Sequence, residues 1–304
     1  MKHMSGRAGT AFAAGAFIIW GLLPLYWNLL SHVAAVEILA HRLLWTSITV
    51  SALLIGVRQF RVTTFLRDAY LRPRLILSGL LLGVNWFVYI FAVNSGRVLD
   101  ASMGYFINPL VSVLFGTVIL RESLNTRQRL AVAIAAAAVL FTILAQGIVP
   151  WVALVLAGTF GLYGLLKKQL PPAPLNALAA ETSFLVPVGM LIIAGRGVAG
   201  TWAFAADAAA PGAAILLVGA GLVTALPLYL FAEGASRIPL SRVGFLQYIA
   251  PTLMLVLGVF VFGEPFTQVQ AVTFGLIWTA LLLYSTAGFG SRRVYSSAST
   301  EPPA

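Results

Sequence analysis

The chain has 304 residues, of which 60% are hydrophobic and only 9% charged, with a formal net charge of +10 and no cysteine. Charged residues make up about a quarter of a soluble domain, so a soluble fold is excluded. The absence of cysteine excludes disulfides, thiolate metal sites and cysteine nucleophiles. The basic residues are scattered over short connections with no aromatic interleaving or folded module, which argues against a nucleic-acid partner.

A helix needs roughly 20 apolar residues to cross a hydrocarbon core of about 30 Å. Such runs occur at 9–30, 35–57, 74–95, 98–120, 127–146, 150–167, 175–194, 212–233, 240–262 and 267–287, which predicts an all-α polytopic membrane protein with ten transmembrane helices. The longest connection, 57–74, cannot hold a soluble catalytic domain, and the Ser-rich segment 288–304 is expected to be a disordered cytoplasmic tail. The first run is a full span without a small-residue cleavage site, so it reads as a retained helix.

Sixteen basic residues fall on one side: Lys2, Arg7, Arg58, Arg61, Arg67, Arg72, Arg74, Arg121, Arg127, Arg129, Lys167, Lys168, Arg237, Arg242, Arg292 and Arg293. Arg97 and Arg196 are the two on the other. Cytoplasmic connections carry the excess of Lys and Arg, so both termini are expected in the cytoplasm and the protein in the bacterial inner, or plasma, membrane.

In chain order, span one carries Trp20, Pro24 and Trp27 at helical spacing, with Gly21 and Asn28 nearby. A mid-span proline frees a carbonyl that neighbours or water must satisfy, so this helix is expected to kink and face the interior. Trp27, near the outer end, is equally readable as an interfacial anchor.

Span two is the most charged. Glu37 and His41 share a face, and Arg42 points about 100° away. Glu37 is near the outer end and reads as interfacial. Arg42 lies about 10 Å deep, and an uncompensated arginine at the bilayer centre costs at least ~3 kcal/mol. It must face protein or water, either tying helices together or holding an anion.

Asn85, Tyr89 and Ala92 share one face of span three; Tyr105, Asn108, Ser112 and Gly116 share one face of span four. Polar stripes of this kind face the interior, as packing contacts or as a substrate lining. Pro109 is expected to break the helix beside Asn108. Span five, with Ala135 to Ala138, reads as a packing element. In the second half, Glu181 is an intramembrane carboxylate that can gain and lose a proton, or an interior hydrogen-bonding group. Thr224, Pro227 and Tyr229 mark span eight, and Gln247, Tyr248 and Pro251 mark span nine. Glu233 and Glu264, at span ends, read as solvated or paired with basic connections.

The two halves repeat. Tyr89-Ile-Phe-Ala-Val-Asn-Ser-Gly-Arg97, Tyr105-Phe-Ile-Asn-Pro109 and Glu122 recur as Tyr229-Leu-Phe-Ala-Glu-Gly-Ala-Ser-Arg237, Gln247-Tyr-Ile-Ala-Pro251 and Glu264. The offset is 140 as far as the arginines and 142 at the prolines and glutamates, and the 140 offset also carries Gly21 onto Gly161, Gly79 onto Gly219 and His41 onto Glu181. A five-span unit ends on the far side, so its second copy must be inverted. The expected units are 9–146 and 150–287, two inverted five-helix repeats around a central cavity. This design recurs in secondary transporters, with substrate held near the midplane between repeats.

Several segments together resemble the RarD-type branch of the EamA family in the drug/metabolite transporter superfamily. They are Trp20-Gly-Leu-Leu-Pro24-Leu-Tyr26, Glu37-Ile-Leu-Ala-His41-Arg42, Asn85-Trp86, Ala92-Val-Asn94, Ala101-Ser-Met-Gly-Tyr-Phe-Ile-Asn-Pro109, Gly244-Phe-Leu-Gln-Tyr-Ile-Ala-Pro-Thr-Leu-Met254 and Thr273-Phe-Gly-Leu-Ile-Trp278. The resemblance implies ten helices in two inverted repeats and export or permeation of small metabolites across the inner membrane, with an association with chloramphenicol sensitivity. Asn28 departs from the family, where a lysine is expected at this position.

The expected function is therefore secondary transport, without ATP since no phosphate-binding Gly-rich loop is present. The substrate is expected to be a small amphipathic or aromatic metabolite, such as an amino acid or a related compound. Its expected lining is Trp20, His41, Arg42, Asn85, Tyr89, Tyr105, Asn108, Gln247 and Tyr248. His41 and Glu181 are proton-coupling candidates, and Pro24, Pro109, Pro227 and Pro251 are expected helix breaks. A passive facilitator of the same fold is the alternative. An intramembrane enzyme is disfavoured, because no nucleophile with a base and no metal cluster is apparent; Glu37 and His41 alone are too few ligands for a metal. No cofactor is expected. The partners are substrate and lipid bilayer, with a homodimer left open.

Overall fold

In the computed structural model the described residues are 2–120, 124–167, 173–202, 212–235, 237–238 and 246–297. Arg121, Glu122, Lys168 and Arg242 lie outside the described residues, as do the side chains of Lys2, Pro109, Ser112, Gly116, Arg292 and Arg293. The described residues form helices and connections with no strand. The helices are α1 (Lys2–Asn28), α2 (Ala35–Gly56), α3 (Val62–Arg67), α4 (Leu71–Asn94), α5 (Val98–Leu120), α6 (Thr126–Gln146), α7 (Trp151–Lys167), α8 (Pro174–Val198), α9 (Ala213–Ala235), α10 (Ile249–Val256) and α11 (Gln268–Ser297). A π-helical turn, Leu257–Val261, continues α10.

Among the described residues, six helices, α1, α2, α4, α6, α8 and α9, are long and apolar enough to cross a membrane, and α7, Ile249–Val261 and Gln268–Tyr284 are shorter apolar helices. Backbone groups in lipid must be satisfied within the segment, which is why apolar sequence of this length folds as helix. The helix ends follow local chemistry. Asn125 and Gln128 form a reciprocal capping box at the start of α6, and Gly147, in the left-handed region, closes its end.

Three expectations need correction. Helices α1, α5 and α9 run through Pro24, Pro109 and Pro227 without interruption. A proline deletes one hydrogen bond, and the bonds on either side keep the helix continuous. Pro251 falls in the first turn of α10, where its missing N–H would have had no helical acceptor. The irregular backbone lies instead at Gln247 and Tyr248 and in the π turn. Finally, α11 continues to Ser297, so the tail expected to be disordered from 288 is helical that far.

Helix α2 crosses α8, and α6 lies along α11. Helix α5 packs on α7 and α10, α1 on α9 and α10, α4 on α7 and α8, and α2 on α4 and α9. Small residues permit the closest approaches, as expected where lipid supplies no hydrophobic drive between helices. A Cβ on Gly79 would sit 2.8 Å from the Glu181 carbonyl oxygen, and one on Gly221 would overlap the carbonyl of Trp45.

The buried apolar residues divide by end. Where the connections 28–35 and 94–98 lie with the starts of α7 and α9, one cluster joins Trp27, Leu30, Val33, Val93, Val98, Val152 and Leu217. We call this the arginine-poor end. Toward the arginine-rich end the core is split: one cluster holds Leu54, Val62, Phe65, Leu75 and Ala177, and another holds Ala13, Phe17 and Ile238. A further cluster, with Phe106, Ala135 and Phe274, ties α5 and α6 to α11.

Gly221→Ala should destabilise the protein by about 1–3 kcal/mol through overpacking against α2, read as a lowered Tm in detergent. Gly275→Ala, whose Cβ would meet nothing within 4 Å, should leave Tm unchanged or raise it.

Candidate functional site

Arg42 is buried on α2 with its guanidinium between two indoles, 4.9 Å from the Trp27 ring centroid and 4.0 Å from that of Trp86. Its Nε donates to Thr224 Oγ1 of α9 at 3.1 Å. Its Nη1 is buried without a hydrogen-bond partner, and among the described residues no carboxylate oxygen comes within 4.0 Å of it. Indole faces attract a cation by about 2 kcal/mol or more when water is excluded, so they hold the charge without neutralising it.

Tyr89 of α4 and Tyr105 of α5 stand near Arg42. Their rings meet edge to face at 5.8 Å, and the buried Tyr89 hydroxyl has no partner. The Tyr105 hydroxyl donates to Asn85 Oδ1 at 3.4 Å, while Asn85 Nδ2 is tied to the Leu156 carbonyl at 3.1 Å and Thr159 Oγ1 at 3.0 Å. One turn along α5, the buried Asn108 Oδ1 has no partner. The result is a cation with polar groups of both kinds nearby, a donor set suited to an anionic head on a small apolar or aromatic body.

Other predicted site residues lie elsewhere. Trp20 packs with Phe17 and Phe231 at 5.3 and 5.6 Å. Tyr248 stacks on Phe106 at 6.4 Å, within the α5–α11 packing. Gln247 is half-buried in the irregular turn before α10. The His41 ring accepts from Trp45 Nε1 at 3.3 Å on its own helix. Asn28 is exposed at the end of α1.

Glu181 forms a second polar centre. It is fully buried and accepts from the Ser78 hydroxyl, from Tyr163 Oη at 3.2 Å and from Lys167 Nζ at 2.6 Å. Glu37, in the first turn of α2, is fully buried against protein and paired with Arg196 Nε, from the last turn of α8, at 2.5 Å. Glu233 pairs with Arg237, as the basic connection suggested. Glu264 is not solvated. It is buried and accepts from the backbone N–H groups of Val98 at 2.5 Å and Leu99 at 2.9 Å, capping α5 from a distant connection. Burial lifts the Glu264 carboxyl above its ordinary value, and the two backbone donors oppose that lift without cancelling it.

Sequence reasoning did not single out Trp86, Tyr163 or Ser78, and took Lys167 for a loop cation. The Asn85-Trp86 pairing and the position of Lys167, fourteen residues before an intramembrane Glu, were the available signals.

A bundle of long apolar helices enclosing a cation that has no carboxylate partner among the described residues is the interior of a polytopic membrane protein. The comparisons with known proteins make that class specific. A family model for the EamA-like transporter family matches residues 7–144. The chain is 46% identical over 291 residues to an uncharacterized transporter, YojE, of Bacillus subtilis (strain 168), covering 94% of this chain and 96% of that one. It is 41% identical to Protein RarD of Streptomyces exfoliatus, over 91% and 88% of the two chains. It is 30% identical to the chloramphenicol-sensitive protein RarD of Pseudomonas aeruginosa, over 96% and 97%. A solved crystal structure that is 18% identical shares the fold with a TM-score of 0.58, over 92% of this chain and 98% of that one. The chain belongs to the EamA-like transporter family, in its RarD-type branch, and is a membrane transporter.

Two predictions follow from the charged residues outside the Arg42 site. Removing one partner of a buried ion pair typically costs about 3 kcal/mol or more, so Arg196→Met should lower Tm markedly. The double variant with Glu37→Gln should recover most of the loss, a coupling that a double-mutant cycle measures. For Glu264 the raised carboxyl value means that the folded protein holds this proton more tightly than the unfolded chain. That stabilisation is present below the ordinary value of 4.5 and is lost as pH rises through the folded value. Glu264→Gln should remove this part of the decline of Tm with pH.

Proposed function

We propose that this chain is a secondary transporter working by alternating access between two inverted five-helix repeats, 9–146 and 150–287, with both termini cytoplasmic and the arginine-rich end facing the cytoplasm of a bacterial cell. Its substrates are small amphipathic or aromatic metabolites, amino acids and related compounds among them, and its direction is export. One observation carries this reading. Exchanging the halves maps the packing onto itself: α5 on α7 becomes α10 on α1, α1 on α9 becomes α7 on α4, and α2 on α9 becomes α8 on α4. The match reaches single residues. A Cβ on Gly21 would sit 2.8 Å from Leu253, and one on Gly161 would sit 3.1 Å from Val111; these pairs are related by the same 140 and 142 offsets as the sequence repeat. A bundle built this way has two states of similar energy, opening to opposite ends.

Arg42 supports the chemical class of substrate. A carboxylate seated on Nη1 would satisfy the unpartnered N–H, accept from the Tyr89 hydroxyl, and leave an aromatic or apolar body against Trp27, Trp86 and Tyr105. Proton coupling, if present, falls to Glu181 over His41, because Glu181 has a mobile cation at hand in Lys167.

A ligand at about 100 times its dissociation constant stabilises the folded protein by roughly 2.7 kcal/mol. In a screen of amino acids, aromatic carboxylates and amphenicols on purified protein, carboxylates should give the Tm shifts, and Arg42→Ala should abolish them. In proteoliposomes the same ligands should show transient uphill counterflow. Downhill flux without counterflow would replace this reading with a passive facilitator.

A further inference from the structure

The two ends of the bundle are chemically equivalent positions in opposite states. At the arginine-poor end, α1 packs on α4, and Asn94 Nδ2 donates across to the Leu30 carbonyl at 3.4 Å. Trp27, Tyr89 and Val93 lie in one buried cluster that seals this end. The 140 offset carries α1 and α4 onto α7 and α9. Among the described residues α7 and α9 make at most a marginal contact.

The same asymmetry appears in matched side chains. Tyr89 is 4% exposed, whereas its counterpart Tyr229 is 40% exposed. Repeat equivalence points Tyr229 at the interior, as Tyr89 is, so its exposure marks an opening at the arginine-rich end. The structure is therefore closed at one end and open at the other.

Closing the open end requires α7 and α9 to meet as α1 and α4 do now. The offset takes Trp27 to Lys167 and Val93 to Glu233, so two apolar members of the sealed cluster map onto a pair of opposite charges. At present each has another partner. Lys167 reaches back to Glu181, with 24% of its side chain exposed, and Glu233 pairs with Arg237, with 32% exposed.

We propose that Lys167 is the gate residue of the arginine-rich end: it pairs with Glu181 while that end is open and exchanges to Glu233 when α7 and α9 close. This rests on the alternating-access reading and deepens it by naming the interaction that changes hands. After the exchange Glu181 keeps the Ser78 and Tyr163 hydroxyls as donors, and Arg237 is released to solvent. The elements around Glu181 offer it no other cation among the described ion pairs: α7 contributes Lys167 and Tyr163, α4 contributes Ser78, and α2 faces α8 there through Ser47, bonded to Ser183 at 3.1 Å.

The natural lack of cysteine allows a direct test in the full chain. Single reporters, Tyr229→Cys for the open end and Val93→Cys for the sealed end, are labelled in membrane vesicles with an impermeant maleimide. Neutralising the two carboxylates that compete for Lys167 should then have opposite effects. Glu181→Gln should slow labelling at Tyr229→Cys and speed it at Val93→Cys, and Glu233→Gln should do the reverse. The Glu233 pair is exposed on both sides and weak, so Glu233→Gln should change the ratio of the two rates by about two- to fivefold, whereas Glu181→Gln, which removes a buried carboxylate's pairing, should change it by about tenfold or more in the other direction. Arg237→Gln, which removes one partner of Glu233 without touching Lys167, should act in the same direction as Glu181→Gln. If Glu233→Gln leaves the ratio unchanged, or moves it as Glu181→Gln does, the exchange is overturned while reciprocal labelling keeps alternating access intact. If the two reporters never move reciprocally in any variant or with ligand, alternating access itself fails and the exchange with it.

Discussion

A guanidinium inside a membrane helix has to be compensated, and the means of compensation decides what the interior can do. Glu37 and Glu181 are neutralised by Arg196 and Lys167, and Glu264 is met by backbone N–H groups. Arg42 is treated differently. Two indole faces and one hydroxyl hold it, so the attraction is supplied by quadrupoles and the full positive charge survives. A carboxylate in the same place would have produced a neutral, inert pair. Two tryptophans, from α1 and α4, make a centre that still attracts an anion, and their attachment to Arg42 holds α1, α2 and α4 together at the sealed end.

The packing around that centre is built to be re-made. Helices in lipid gain little from hiding apolar surface, so contact depends on how closely backbones approach. Gly21, Gly79, Gly161 and Gly221 sit where a Cβ would crowd the facing helix. Small residues of this kind let one helix pivot on another without large side chains having to unlock. In the proposed cycle the balance between the two states rests on what the ends supply. The sealed end supplies aromatic and aliphatic burial, and the open end supplies charges with more than one partner within reach of a shifted helix.

Much of this was legible in the sequence. Nine of the predicted spans coincide with α1, α2, α4 to α9 and α11 to within a few residues at most boundaries, because a 20-residue apolar run has one low-energy fate in a bilayer. Helix α3 was missed because its six residues, Val62–Arg67, are too few to show a period. The importance of Arg42, Tyr89, Tyr105 and Asn85 could be read from polarity alone. Which neighbours they would meet could not, since that depends on the rotation of helices from the other half. Trp20 and Trp27 illustrate it. They lie on one helix, yet Trp27 faces Arg42 and Trp20 faces Phe231. Lys167 was misread for a related reason: a long flexible side chain at a span end can turn back into the bundle, and only the position of Glu181 shows that it does.

Arg42 and Glu181 each stand seven positions into their helices, from Ala35 and from Pro174, about 10 Å along the axis at 1.5 Å per residue. The first is counted from the arginine-poor end and the second from the arginine-rich end. They occupy adjacent positions in the repeat, since the offset that takes His41 to Glu181 takes Arg42 to Thr182. In the proposed repeat, one copy carries the positive centre and the other the negative one. Although α2 and α8 pack on each other, Arg42 and Glu181 form no ion pair among the described residues. In the proposed cycle each must find its counter-charge elsewhere, Arg42 in the substrate and Glu181 in Lys167. That separation lets the substrate's charge and the gate's charge be exchanged in turn on one pair of crossing helices.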